Sequence, residues 1–156
     1  MRRAGVLLTA ALALSGSVSA AGAHSLRAAQ SVESSINSMR AQYGCGPLRL
    51  HVGLSRSAGR QARLLLADGE LDHNAGSPMP QRLHRAVPSA SVVGEDLAWG
   101  TGRAALPESI VQAWMSSPTH RRILLDCRFA RLGVGIAAGR FGESPRATVY
   151  AADFAA

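Results

Sequence analysis

The sequence contains no lysine; all 17 of its basic residues are arginine. That absence excludes amine catalysis by lysine and removes the usual cation of a phosphate-binding loop, and no glycine-rich loop follows a strand pattern. Aromatic residues are scarce, two Trp, two Tyr and three Phe among 156 residues, so the core must be assembled from Leu, Ile, Val and Ala. Charged residues make up 17%, below the usual share of about a quarter. There are only two cysteines, too few for a zinc site made of cysteine alone. No Gly-x-Ser-x-Gly nucleophile motif is found. The arginines are spread along the chain and stacking aromatics are few, so nucleic-acid binding is not expected.

What is present reads first as a leader. Arg2 and Arg3 precede an apolar run from Ala4 to Leu14, and small residues follow at Val18-Ser19-Ala20 and Ala21-Gly22-Ala23. This is the three-part pattern of a secretory signal peptide, 1–23, with cleavage after Ala20 or Ala23. Beyond it no segment reaches the roughly 18 apolar residues that a membrane helix needs. The remainder, 24–156, has the length of one domain. Removal of the leader takes away two arginines and lowers the formal charge from +7 to +5. The product is expected to be a secreted monomer without a stable membrane span. Export favours a bond between Cys45 and Cys127, because extracytoplasmic compartments are oxidising. Two separate buried thiols are the alternative. Closing a loop of 82 residue steps would contribute at most about 4.5 kcal/mol in the chain-entropy picture.

Periodicity supplies the elements. Val32, Ile36, Met39 and Tyr43 form a helical stripe that Gly44 stops. Leu54, Ala58, Ala62, Leu65 and Leu66 form a second stripe, ended by Asp68-Gly69, with Arg56, Arg60 and Arg63 on its opposite, solvated face. Residues 70 to 93 carry Pro78, Pro80 and Pro88 and exclude a long regular helix. His73 and Glu95 bracket this irregular stretch, and Gly94 to Gly100 reads as a strand. Pro107 opens a third helix on Ile110, Val111, Trp114 and Met115. Ser117-Pro118 opens a fourth, with His120 in its first turn. Leu132 to Ile136 and Ala147 to Tyr150 read as an antiparallel hairpin turning at Gly142 to Pro145. Helices precede strands without βαβ alternation, which indicates an α+β layered domain.

Several of these segments together resemble a known family. They are Asn37-Ser38-Met39-Arg40, Cys45-Gly46-Pro47-Leu48, Leu71-Asp72-His73, Arg82, Gly94-Glu95-Asp96-Leu97-Ala98, Trp114-Met115-x-Ser-Pro-x-His120-Arg121, Leu132-Gly133-Val134-Gly135 and the closing strand from Tyr150 to Phe154. Their order is similar to that of the CAP superfamily, the cysteine-rich secretory, antigen 5 and pathogenesis-related 1 proteins, in its short bacterial form, across residues 31 to 154. The resemblance implies an α-β-α sandwich with a central antiparallel sheet flanked by helices. It also implies a cleft lined by His73, Glu95 and His120, which in some members binds zinc or another divalent metal. Arg82, Ser117 and Arg121 belong to the same motifs and are expected to support that cleft. Ser117 stands where other members carry a second glutamate, and Asp96 replaces the Asn of the usual Gly-Glu-Asn.

The residues themselves leave two functions open. Imidazoles and a carboxylate could hold zinc and activate water, a metal-dependent hydrolase. The same groups could form a hydrogen-bonded cleft in an extracellular binding module for a lipid, a peptide or a cell-envelope component. A neutral His120 at a helix N-terminus suits either role. Asp96 follows Glu95 directly, so its side chain is expected on the opposite strand face.

Overall fold

A computed structural model describes residues 20–156. Residues 1–19, the greater part of the expected leader, lie outside them. Five helices and four strands follow in the order α1 (Ala20–Gln42), β1 (Arg49–Leu50), α2 (Val52–Asp68), α3 (Met79–Ala86), β2 (Val93–Gly100), α4 (Pro107–Ser116), α5 (Pro118–Leu124), β3 (Arg131–Phe141) and β4 (Ser144–Ala155). The sheet order is β1-β3-β4-β2. Strands β2, β4 and β3 are antiparallel, as expected, while the two-residue β1 adds a parallel edge to β3. No described helix is long and apolar enough to cross a membrane.

Each element has a local cause. His51, in extended conformation, caps α2 by accepting the Leu54 N–H on its ring nitrogen at 3.4 Å. Gly69, at φ 77°, ends the helix in the left-handed conformation that glycine adopts without strain. Pro78, Pro80 and Pro88 confine α3 to two turns, which fits the expectation of no long helix there. The first stripe needs one correction. Val32 and Ile36 are buried, but Tyr43 lies past the end of α1 and is 58% exposed.

Two helical layers sandwich the sheet. On one face α1, α4 and α5 bury Val32, Ile36, Ile110, Trp114 and Leu124 against Leu132, Tyr150 and Phe154. On the other, α2 and α3 bury Ala58, Ala62, Leu65 and Leu83 against Val149, Ala151 and Ala155. Helix α2 sits unusually close to β3. A Cβ added to Gly133 would collide with the Leu54 backbone, and one added to Gly135 with the Ala58 backbone. The alternation of glycine on β3 is therefore what lets α2 settle on the sheet.

Cys45 and Cys127 are joined, with their Cα atoms 4.9 Å apart. The bond ties the turn after α1 to the turn after α5. Beside it the wholly buried Arg40 donates to the carbonyls of Gly46, Leu124, Asp126 and Phe129 at 2.7 to 3.0 Å. Burial lowers the pKa of this guanidinium and the nearby Asp126 raises it. The four carbonyl dipoles take the place of a directly bonded carboxylate.

Asp96 does face away from Glu95, beside Ala152 of the α1/α4/α5 layer. Its carboxyl is fully buried and neither oxygen has a hydrogen-bond partner. Burial, and secondarily the charge of Glu95, pushes its pKa up to about 8. The folded protein therefore keeps a proton that the unfolded chain releases near its ordinary value of 3.8. Stability contributed this way is fully present below that value and is lost as pH rises toward about 8.

Two outcomes follow from this packing. Gly135→Ala should lower the unfolding free energy by about 3 kcal/mol, at the upper end for overpacked sites, measured by denaturant titration. Asp96→Asn should flatten the decline in stability between pH 5 and pH 8, measured as the urea midpoint at each pH.

Candidate functional site

The loop after α2 is fixed before it reaches the site. Gln61 Nε2 donates to the Asp72 carbonyl at 2.9 Å, and Asp72 Oδ1 accepts the Asn74 N–H at 2.8 Å. Asn74 Oδ1 in turn accepts the Met79 N–H at the start of α3. These short-range bonds set the direction from which His73 approaches the sheet. On the sheet, β2 and β4 place Glu95 directly across from Asp153. Alternation turns both carboxyls toward the α2/α3 layer.

Arg82 of α3 comes down between them. Its Nη2 donates to Glu95 Oε2 at 2.5 Å, and its Nη1 donates to Asp153 Oδ2 at 3.1 Å and to Ser57 Oγ at 3.0 Å. All three charged groups are buried. Glu95 Oε1 holds His73 Nδ1 at 2.8 Å, with the Glu95 side chain fully covered and the His73 side chain 48% exposed. The imidazole is thus fixed at one nitrogen and offers the other to solvent. Asp153 is pushed well above the usual carboxylate range by burial and by the charge of Glu95, with Arg82 opposing.

His120 is half-buried in the first turn of α5, in the other helical layer. Among the described residues it makes no hydrogen bond to His73 or Glu95. Burial first, and then the charge of His73, push its pKa down, while the Glu95 hydrogen bond pushes that of His73 up. Strand β2 is an edge strand, so groups from both layers can reach its rim. Arg82 therefore has a direct role, whereas the other two supporting candidates touch less. Ser117 takes the N-cap position of α5 without a capping bond from its hydroxyl, and Arg121 is exposed on the same helix. Sequence reasoning missed Asp153 and Ser57. The signal for Asp153 was a lone acid in the apolar run from Ala147 to Phe154. Ser57 sits next to Ala58 of the α2 stripe and carries no comparable mark.

The donor set can be set against the expected zinc or other divalent ion. Both oxygens of Glu95 are engaged, one by His73 and one by the Arg82 cation. Among the described residues no group of three His, Cys, Asp or Glu side chains is arranged to hold a metal. A three-ligand centre that includes Glu95 does not fit this arrangement.

The two imidazoles should titrate apart. His73, raised above the ordinary imidazole value of 6.5, chiefly by its hydrogen bond to Glu95, contributes pairing energy that is fully present below that pH and lost as pH rises through the raised value. Imidazole NMR should place the His73 midpoint above, and the His120 midpoint below, their common ordinary value. Glu95→Gln should return the His73 midpoint toward that value.

Residues 34–154 match the model of the family described as cysteine-rich secretory proteins, CAP. Among curated proteins, YkwD of Bacillus subtilis strain 168 is 32% identical over 102 residues, 64% of this chain and 38% of that protein. The chain thus spans well under half the length of this relative. An extracellular protein containing an SCP domain from Bacillus anthracis has a similar structure, with TM-score 0.68 at 19% identity over 90% of this chain and 45% of the other. An outer surface protein of Borrelia burgdorferi gives TM-score 0.65 at 21% identity over 81% and 90%. At such identities the likeness to solved structures is one of fold. The family match itself runs from the middle of α1 through β4 and takes in His73, Arg82, Glu95, His120 and the disulfide: the chain belongs to the cysteine-rich secretory protein (CAP) family.

Proposed function

We propose that the chain is an exported extracellular binding module, with residues 1–23 as its leader, and that it seats a polar group of its ligand on His73, oriented from beneath by Glu95, with His120 as the second imidazole of the cleft. The observation that carries this reading is the half-exposed His73 imidazole, fixed on a buried Glu95 that Arg82 holds in place. A side chain oriented from beneath and open above is preorganised for recognition. His73, favoured in its charged form, suits an anionic or carbonyl acceptor, and His120, favoured neutral, suits either a donor or an acceptor. A peptide, an envelope glycopeptide and a lipid head group all present such groups.

The hydrolase alternative places water activation on a metal held by the same residues. The engagement of Glu95 by Arg82 favours binding over that chemistry. Apolar volume for the rest of a ligand lies elsewhere. A groove of about 660 Å³ runs between the N-terminal half of α1 and the start of α4, floored by Ile136 and Tyr150. Its size falls in the range of about 300–1,000 Å³ common to small-molecule sites.

The test pairs metal analysis with ligand titration. The protein and a His73→Ala, His120→Ala variant are titrated with a synthetic muropeptide, a short unstructured peptide and phosphatidylglycerol vesicles, while imidazole and amide NMR signals are followed. The expected result is that at least one probe shifts the His73 ring signals, and that the variant loses at least tenfold in affinity for it. Stoichiometric metal in the purified protein, lost in the variant and accompanied by metal-dependent cleavage of the muropeptide or the peptide, would replace the binding reading with the hydrolase one.

A further inference from the structure

A second niche borders Arg82, the residue that holds Glu95. It has a volume of about 150 Å³ and is bounded by α2, the loop at Ala75 to Ser77 and α3. Three arginines line it, Arg60 from α2 and Arg82 and Arg85 from α3, and no acidic side chain does. Arg85 Nη2 donates to Ser77 Oγ at 3.0 Å, which leaves the Ser77 hydroxyl its own proton to donate. Arg60 and Arg85 are exposed at the rim.

The second observation is at the floor. Arg82 is 6% exposed, and its Nη atoms are taken by Glu95, Asp153 and Ser57. Its Nε–H is buried and, among the described residues, has no partner; an acceptor in the niche reaches it once the side chains covering it give way. A buried cationic donor left unpaired costs free energy, and the cost disappears when an acceptor reaches it. Gln61 Oε1, at the same niche, is a buried acceptor without a donor; the hydroxyl of a singly protonated phosphate would supply one. The volume is too small for a drug-sized molecule, which needs about 300 Å³ or more, and suits a compact tetrahedral group.

We propose that this niche is an oxyanion site that takes a phosphate group, held by Arg60, Arg85 and Ser77 at the rim and by the free donor of Arg82 at the floor. It shares Arg82 with the seat on His73 but would take phosphate whether or not that seat binds anything. Guanidinium forks match phosphate geometry better than ammonium groups do, and the chain uses arginine exclusively. The phosphate could belong to a lipid head group or be free in solution, since the chemistry of recognition is the same.

The test uses the 15N-labelled protein and inorganic phosphate. The Arg82 Nε–Hε signal should shift saturably, and Arg60→Gln and Arg85→Gln should each weaken binding about tenfold, the loss of one charge-assisted hydrogen bond. Arg56→Gln, on the same helix but outside the niche, should leave binding unchanged. A stationary Arg82 Nε–Hε signal while rim arginine signals move would overturn the site, as would equal losses in Arg56→Gln and Arg85→Gln. Sedimentation with phosphatidylcholine vesicles, with and without phosphatidic acid, then distinguishes the sources. Capture by phosphatidic acid that inorganic phosphate reverses assigns a lipid-borne phosphate. Phosphate binding without capture assigns a soluble one. Capture that persists in Arg60→Gln and Arg85→Gln rejects the lipid assignment.

Discussion

A single buried guanidinium organises the α2/α3 side of the molecule. Arg82 joins two acidic residues from different strands, a serine from α2 and, through Glu95, the imidazole of His73. Taking such charges out of water is expensive, and removal of one partner from a buried pair typically costs about 3–5 kcal/mol because the remaining charge is stranded. Several elements share that constraint. Helix α3 is short and amphipathic, with only Arg82 and Leu83 fully buried, so the arginine anchors it as much as the leucine does. The loop before it is tied by Asp72 and Asn74, and β2, an edge strand, is fastened to the layer above it through Glu95.

Strand alternation then divides the work between neighbours. Glu95 and Asp96 are consecutive acids, both out of solvent, yet they face different layers. The first has a partner for each of its oxygens, His73 Nδ1 and Arg82 Nη2. The second has none and is held neutral by its surroundings up to about pH 8. The same backbone segment therefore carries one acid that organises a site and one that the core tolerates only when protonated.

Much of this was legible in the sequence where the signal is local. Helix stripes on α2 and α4, the proline-bounded loop and the closing hairpin follow from spacing and turn chemistry, and the pairing of Cys45 with Cys127 agrees with what expected export favoured. Glu95 and His73 were legible as brackets of an irregular stretch and as members of one cleft, though not which atoms would bond. Asp153 was not legible, because its place opposite Glu95 depends on the register of two strands 58 positions apart in the chain. Arg40 was visible only as part of a motif, since nothing local reveals that carbonyls from residues 124 to 129 converge on it. Tyr43 continued a helical stripe, but the helix ends at Gln42 and Tyr43 already belongs to the turn leading to Cys45.

Arg40 has a bearing on how the disulfide behaves. The guanidinium gathers the carbonyls of Gly46, Leu124, Asp126 and Phe129, so the chain on either side of both cysteines is held by contacts that need no sulfur bond. Folding can therefore bring the two thiols together before any oxidant acts, and with only two cysteines there is a single intramolecular pairing to find. After reduction the thiols remain side by side, and reclosure through thiol–disulfide exchange competes with separation of the segments. The covalent link acts less as a guide to the fold than as a latch on a seam already closed, one that slows its opening.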